Sequence, residues 1–180
     1  MKLLVQTFIL GVAFQSFSVF GGEILKNGGF ENDMDSWRTT DWKQKSGVLS
    51  VDSTVASSGK KSFKLTNDSF EQTTMLEQDV ELIASKKYTL KFKIKTVSVV
   101  PQSETKGAGA AIMILNAGKH AIEVSPSGSW KQATGTNDWQ DCAVEFSPEN
   151  INGSSKIYLV LRKATGTAYF DAVSLVCDDK

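Results

Sequence analysis

An all-β sandwich is the fold class this chain predicts. Three observations carry that prediction: a dominant period of two, turn residues at short intervals, and no convincing helical stripe. Tyr88, Leu90, Phe92 and Ile94 alternate with Thr89, Lys91, Lys93 and Lys95. Ile157, Leu159 and Leu161 alternate with Tyr158, Val160 and Arg162, and Phe63 and Leu65 with Lys64 and Thr66. Successive strand side chains point to opposite faces, so this pattern marks strands with one buried face. Breaks fall at Asn27-Gly28-Gly29, Ser57-Ser58-Gly59, Asn67-Asp68-Ser69, Pro126-Ser127-Gly128, Asn152-Gly153 and Thr165-Gly166-Thr167. Many short strands so interrupted argue for two antiparallel sheets packed face to face. Residues 98–109 and 125–138 read as long loops, which on a rigid sandwich often carry function.

Residues 1–22 read as an export signal. Lys2 supplies the positive start, and Leu3 to Val19 is mostly apolar but too short and interrupted to span a bilayer. Cleavage after Gly21 places Val19 and Gly21 at the two small-residue positions. The expectation is a secreted, extracellular or periplasmic protein with one domain over 23–180. The formal net charge of +0 and the dispersed lysines give no nucleic-acid footprint.

Export permits a disulfide. Cys142 shares its face with Val144 and Phe146, and Cys177 with Val173 and Leu175. Both point at the apolar side, either as two buried thiols or as a bond tying down the last strand. A bond needs Cα atoms within about 7 Å, which sequence does not reveal.

The chemistry of an enzyme is missing. The chain holds one histidine, His120. It has no Gly-x-Ser-x-Gly elbow, no zinc-spaced His/Cys cluster and no phosphate-cradling glycine loop. The expectation is a protein that is not an enzyme.

Three motifs stand in order along the chain. They are Asn27-Gly28-Gly29-Phe30-Glu31 with Trp37 following, Ser58-Gly59-Lys60-Lys61-Ser62-Phe63-Lys64-Leu65, and Gly166-Thr167-Ala168-Tyr169-Phe170-Asp171-Ala172-Val173-Ser174-Leu175. Together they resemble the carbohydrate-binding modules of the CenC-like group, over nearly all of the chain after residue 22. The resemblance implies a galactose-binding-domain-like jelly roll. It also implies a structural Ca²⁺ held by the Gly29 and Lys61 carbonyls and the Glu31 and Asp171 carboxylates. Ser58 falls where many relatives place another acid. Alternatively, Glu31 and Asp171 only cap turns.

Sugars present flat C–H faces that aromatic rings cover, while amides and charges bond their hydroxyls. Phe63, Tyr88, Phe92 and Phe146 lie on apolar faces and read as core. Trp37 and Trp139 read as structural too, by the resemblance. Phe70, Trp130 and Trp42 stand among polar neighbours, where stacking on a sugar and packing on the sandwich are equally open. On the penultimate strand Tyr158 and Arg162 face away from the core, and Arg162 can bond hydroxyls or a uronate. Lys91, Lys93 and Lys95 read as the solubilising side of a convex face. The expected function is a secreted, non-catalytic module that recognises a polysaccharide or cell-surface glycan in a shallow groove. A separate glycoside hydrolase is a candidate associate. The rival is a structural or protein-interaction sandwich that has lost sugar binding.

Overall fold

The computed structural model describes residues 22–40, 46–103, 105–115, 121–129, 131–151 and 153–178, and no helix occurs among them. Eleven strands form two sheets. They are β1 (Arg38–Thr39), β2 (Val48–Asp52), β3 (Ser62–Asn67), β4 (Thr73–Val80), β5 (Tyr88–Pro101), β6 (Gly109–Leu115), β7 (Ile122–Ser125), β8 (Gly128–Ser129), β9 (Gly135–Phe146), β10 (Ser155–Arg162) and β11 (Ala164–Cys177). One sheet runs β1-β4-β10-β6-β7-β8 and the other β2-β3-β11-β5-β9. Every pairing is antiparallel. The predicted sandwich is the observed one.

The core lies between the sheets. Phe63, Leu65, Leu90, Phe92, Ile94 and Phe170 meet Leu76, Ile112, Ile114, Ile157, Leu159 and Leu161, all buried. Each such side chain contributes about 1.5–3 kcal/mol on leaving water. Tyr88 stacks on Phe146 at 5.5 Å, and its hydroxyl accepts the Ile83 N–H at 2.7 Å. Phe30 joins Trp37 and Phe63 at 5.4 and 5.2 Å. The Trp37 indole N–H donates to the Asn27 carbonyl at 3.0 Å, so this tryptophan is structural, as read. Gly28 has a steric reason: a Cβ there would stand 1.7 Å from the Val173 carbonyl oxygen. That close approach docks the N-terminal turn on the last strand, where the Val173 N–H donates to the Gly28 carbonyl.

One expectation needs correction, and one open alternative is decided. The stretches 98–109 and 125–138 are not long loops: β5 continues to Pro101, β8 occupies 128–129, and β9 begins at Gly135. Register shifts at Ile94/Thr96 and Thr96/Val99 break the alternation that would have revealed these strands. Cys142 and Cys177 are free thiols, not a disulfide. Cys142 pairs with Phe92 on one side of β5, and Cys177 with Tyr88 on the other. Two strand spacings, about 10 Å, separate them, plus four residues along β5. Trp139 is half-buried and stands outside the core cluster.

Candidate functional site

The outer face of the six-stranded sheet is the candidate. Register puts Tyr158 of β10 beside Glu77 and Met113, Val160 beside Met75 and Ala111, and Arg162 beside Thr73 and Gly109. On β7, Glu123 stands beside Met113. Met75, Ala111, Met113, Tyr158 and Val160 form a second apolar cluster, separate from the core. Tyr158 is only 2% exposed, so it packs with the two methionines rather than offering an open ring. Burial pushes its phenol up to about 12, and the neighbouring Glu77 adds to this.

Charge flanks this floor at two ends. At one, Arg38 donates to Glu77 at 2.8 Å and grips Asp79 through two bonds at 2.7 and 2.8 Å. Lys156 joins Glu77 at 2.9 Å. The hydrogen bond from Arg38 holds the Asp79 carboxyl below the usual range, against some desolvation. At the other end one terminal nitrogen of Arg162 donates to both oxygens of Glu123, at 2.8 and 2.9 Å. The Arg162 Nε donates to the Gly107 carbonyl at 2.6 Å, and the Gln132 amide to Glu123 at 2.8 Å. Gly107 has φ +76°, and a Cβ on it would meet the guanidinium at 2.5 Å. Glu77 and Glu123 are nearly inaccessible, at 5% and 2%. Buried carboxylates cost several kcal/mol unless paired, so these two depend on their cations.

At the Arg162 end the face opens into a cavity of about 290 Å³ lined by Thr73, Met75, Lys106, Met113, Arg162 and Lys163. Phe70 is 39% exposed and belongs to the turn that enters β4 at this end. Asn67 anchors that turn. Its amide donates to the Leu161 and Ala164 carbonyls at 3.1 Å each and to Gln72 at 3.3 Å. Gln72 in turn accepts the Asp68 and Ser69 N–H groups. A larger hollow, about 520 Å³, lies on the opposite sheet around Thr89, Lys91, Ala143 and Glu145. Its pair, Lys87 with Glu145 at 2.6 Å, is 49% and 63% exposed.

Sequence reading placed Tyr158, Arg162 and Phe70 where the structure brings together one face and its rim. Trp42 and Trp130 lie outside the described residues, as does His120. It missed Glu77, Glu123, Arg38, Met75, Met113, Lys106 and Lys163. Glu123 could have been flagged because it alternates with Ile122 and Val124, which places a carboxylate on an outer face.

Two of the residues expected around calcium, Glu31 and Asp171, reach the same turn. Glu31 accepts the Lys60 and Lys61 N–H groups at 2.8 and 3.0 Å, which hold its carboxyl below the usual range. Asp171, fully buried, accepts N–H groups of Ser57, Ser58 and Ala172 at 2.7, 2.8 and 2.6 Å. The Lys61 ammonium bonds the Glu31 carbonyl and Asp33. Both carboxylates thus clamp the turn at 57–61, with Gly29 just before Glu31. The clamp is made of N–H and O–H donors. Among the described residues no group of three or more His, Cys, Asp or Glu side chains stands ready for a metal.

Solved structures share this architecture. "Family 16 Carbohydrate Binding Module-2" is 23% identical, with a TM-score of 0.61, covering 85% of this chain and 99% of that one. The CBM22-1 xylan-binding domain from Paenibacillus barcinonensis Xyn10C is 14% identical, at TM-score 0.60, with 89% and 97% covered. The Clostridium thermocellum xylanase 10B CBM22-1–GH10 modules, complexed with xylohexaose, are 13% identical, at TM-score 0.54; the match covers 86% of this chain and 28% of that one. These likenesses establish the fold. No curated protein sequence matches the chain. A family profile described as "Carbohydrate binding domain" matches residues 22–166, and the chain belongs to that family.

Proposed function

We propose that this protein is a secreted, non-catalytic module that holds a polysaccharide or cell-surface glycan on the outer face of its six-stranded sheet. The carrying observation is the cavity lined by Thr73, Met75 and Met113, which opens beside the fixed hydrogen-bonding end at Arg162. That combination suits a ligand with C–H faces and hydroxyl edges. Phe70 supplies the exposed stacking ring, and Arg162 bonds hydroxyls from a position locked by Glu123 and Gly107. Trp42 and Trp130 complete the set of candidate rings. The xylan-binding names of the neighbours support a chain-like ligand, and the fused GH10 module of one supports a glycoside hydrolase as associate.

A glycan array probed with the mature protein tests this. Binding should be reproducible, weakened by Phe70→Ala, and weakened by Arg162→Lys, which keeps the charge and loses the planar fork. A silent array would sink the reading. It would then favour the structural or protein-interaction alternative, which the burial of Tyr158 supports. Release of sugar ends that a carboxylate substitution abolishes would overturn the non-catalytic part. N-terminal sequencing of exported material should begin at Gly22; a start at Met1 would remove the export signal.

Calcium at the 57–61 turn is a subsidiary proposal with a structural role. Convergence of Glu31, Asp171 and the Lys61 backbone supports it; the N–H bonds their carboxylates already accept count against it. An ion that binds only the native state adds about 2.7 kcal/mol at a hundred times its Kd. A chelator should therefore lower the melting temperature. An unchanged melt and metal-free protein would end the proposal.

A further inference from the structure

The two ends of the groove differ in charge balance. At one end, two cations, Arg38 and Lys156, face two carboxylates, Glu77 and Asp79. At the other, three cations, Lys106, Arg162 and Lys163, line one cavity, and Glu123 pairs with Arg162. Among the described residues that line this cavity none is acidic. Among the described residues the ammonium groups of Lys106 and Lys163 have no ion-pair or hydrogen-bond partner, although nearly every other interaction on this face is matched. Of these three cations Glu123 meets only Arg162. Lys106 and Lys163 are exposed, and Lys163 sits at φ +46° in the one-residue link between β10 and β11. Its carbonyl accepts the Gln102 N–H at 2.9 Å and its own N–H donates to Gln72 at 3.1 Å. A strained, doubly bonded backbone holds that lysine at the mouth.

We propose that this mouth receives the anionic group of an acidic glycan, the carboxylate of a uronic acid or a sulfate ester, while the sugar ring sits in the cavity that Thr73, Met75 and Met113 help to line. The inference rests on the sugar-binding reading above and adds the class of sugar. Unpaired cations beside an apolar floor favour an anion because the water they lose is replaced by charge-assisted hydrogen bonds. A neutral sugar leaves the two ammonium groups without a counter-charge.

The test uses the full mature protein against matched neutral, carboxylated and sulfated forms of β-1,4-linked glucan, xylan and galactan. An anionic form should bind about tenfold or more tightly than its neutral counterpart, since one charged hydrogen bond supplies that ratio. The advantage should shrink as salt rises. The carboxylated and sulfated arms identify the group. In the Lys106→Gln/Lys163→Gln double variant the anionic-to-neutral affinity ratio should fall towards one with the melting temperature unchanged. If neutral forms bind as well as anionic ones, or the ratio survives the double variant, the inference is overturned and sugar binding stands. If no form binds, the sugar-binding reading falls and the inference with it.

Discussion

The outer faces of the two sheets are built by the same alternation and end as different surfaces. On the five-stranded sheet Lys93 pairs with Asp141 at 2.8 Å and Lys95 with Asp138 at 2.7 Å. Those carboxylates are 81% and 85% exposed. On the six-stranded sheet Arg162 pairs with Glu123 at the same 2.8 Å, but that carboxylate is 2% exposed. Distance does not separate the two pairs; solvent does. An exposed pair is worth about 0–1 kcal/mol, whereas a buried charge is tolerated only while its partner stays. A sequence therefore loses a pair like Lys93–Asp141 at little cost, and keeps Arg162–Glu123 as a unit.

Removing one cation from each face should break that symmetry most clearly. Arg162→Ala strands Glu123 and should lower stability by about 3 kcal/mol, the buried-pair range trimmed because Arg162 is itself partly exposed. Lys93→Ala should stay within about 0.5 kcal/mol. Denaturant midpoints decide it, and equal losses would erase the distinction between the faces.

Affinity gives the next contrast. Phe70→Ala should weaken glycan binding by about 1–3 kcal/mol, by analogy with rings stacked on nucleobases, and hardly move the melting temperature. Tyr158→Ala should do the opposite to stability, since its ring is buried with Met75 and Met113. Calorimetry and thermal melts on both variants sharpen the assignment; a Phe70→Ala variant that melts early and binds fully would make that ring packing.

Thiol chemistry probes burial within the five-stranded sheet. Burial, helped by nearby Asp141, pushes the Cys142 thiol up to about 12. At neutral pH the thiolate is scarce, so Cys142 should resist alkylation in the native protein and react once the chain is unfolded. Rapid native labelling at Cys142, read by peptide mass, would mean that β9 opens.

The smallest effect is acid sensitivity at the Arg38 end. The Asp79 carboxyl is depressed below its ordinary value of 3.8 in the folded state, chiefly by the Arg38 hydrogen bond. Its contribution is therefore present above the unfolded value and lost as pH falls below about 4 through the folded one. Asp79 is 54% exposed, so screening leaves at most a fraction of the roughly 1 kcal/mol typical of surface pairs. Arg38→Gln should flatten that acid limb; an unchanged limb would assign it elsewhere.

Legibility followed periodicity. Tyr88 to Ile94, Ile157 to Arg162 and Phe63 to Thr66 alternate cleanly, and each is a strand with the expected face inward. Where bulges interrupt β5 and β9, alternation failed and strand was read as loop. Of the site, Arg162 and Phe70 were readable because a fork of donors and a ring among polar residues are local signals. The outward face of Glu123 was readable too, but its pairing with Arg162, 39 residues away, and the cavity Lys106 shares with Arg162, 56 residues away, were not.

By itself the sequence determined the two-faced strands and the turns that separate them. Those follow from side-chain alternation and steric allowance, which act over a few residues. Only the tertiary structure decided which outer face carries the second apolar cluster, that the two thiols stand on opposite sides of β5, and that Tyr158 is covered. Burial and strand order are sums over distant segments: whether a carboxylate loses its water depends on neighbours that no local pattern names.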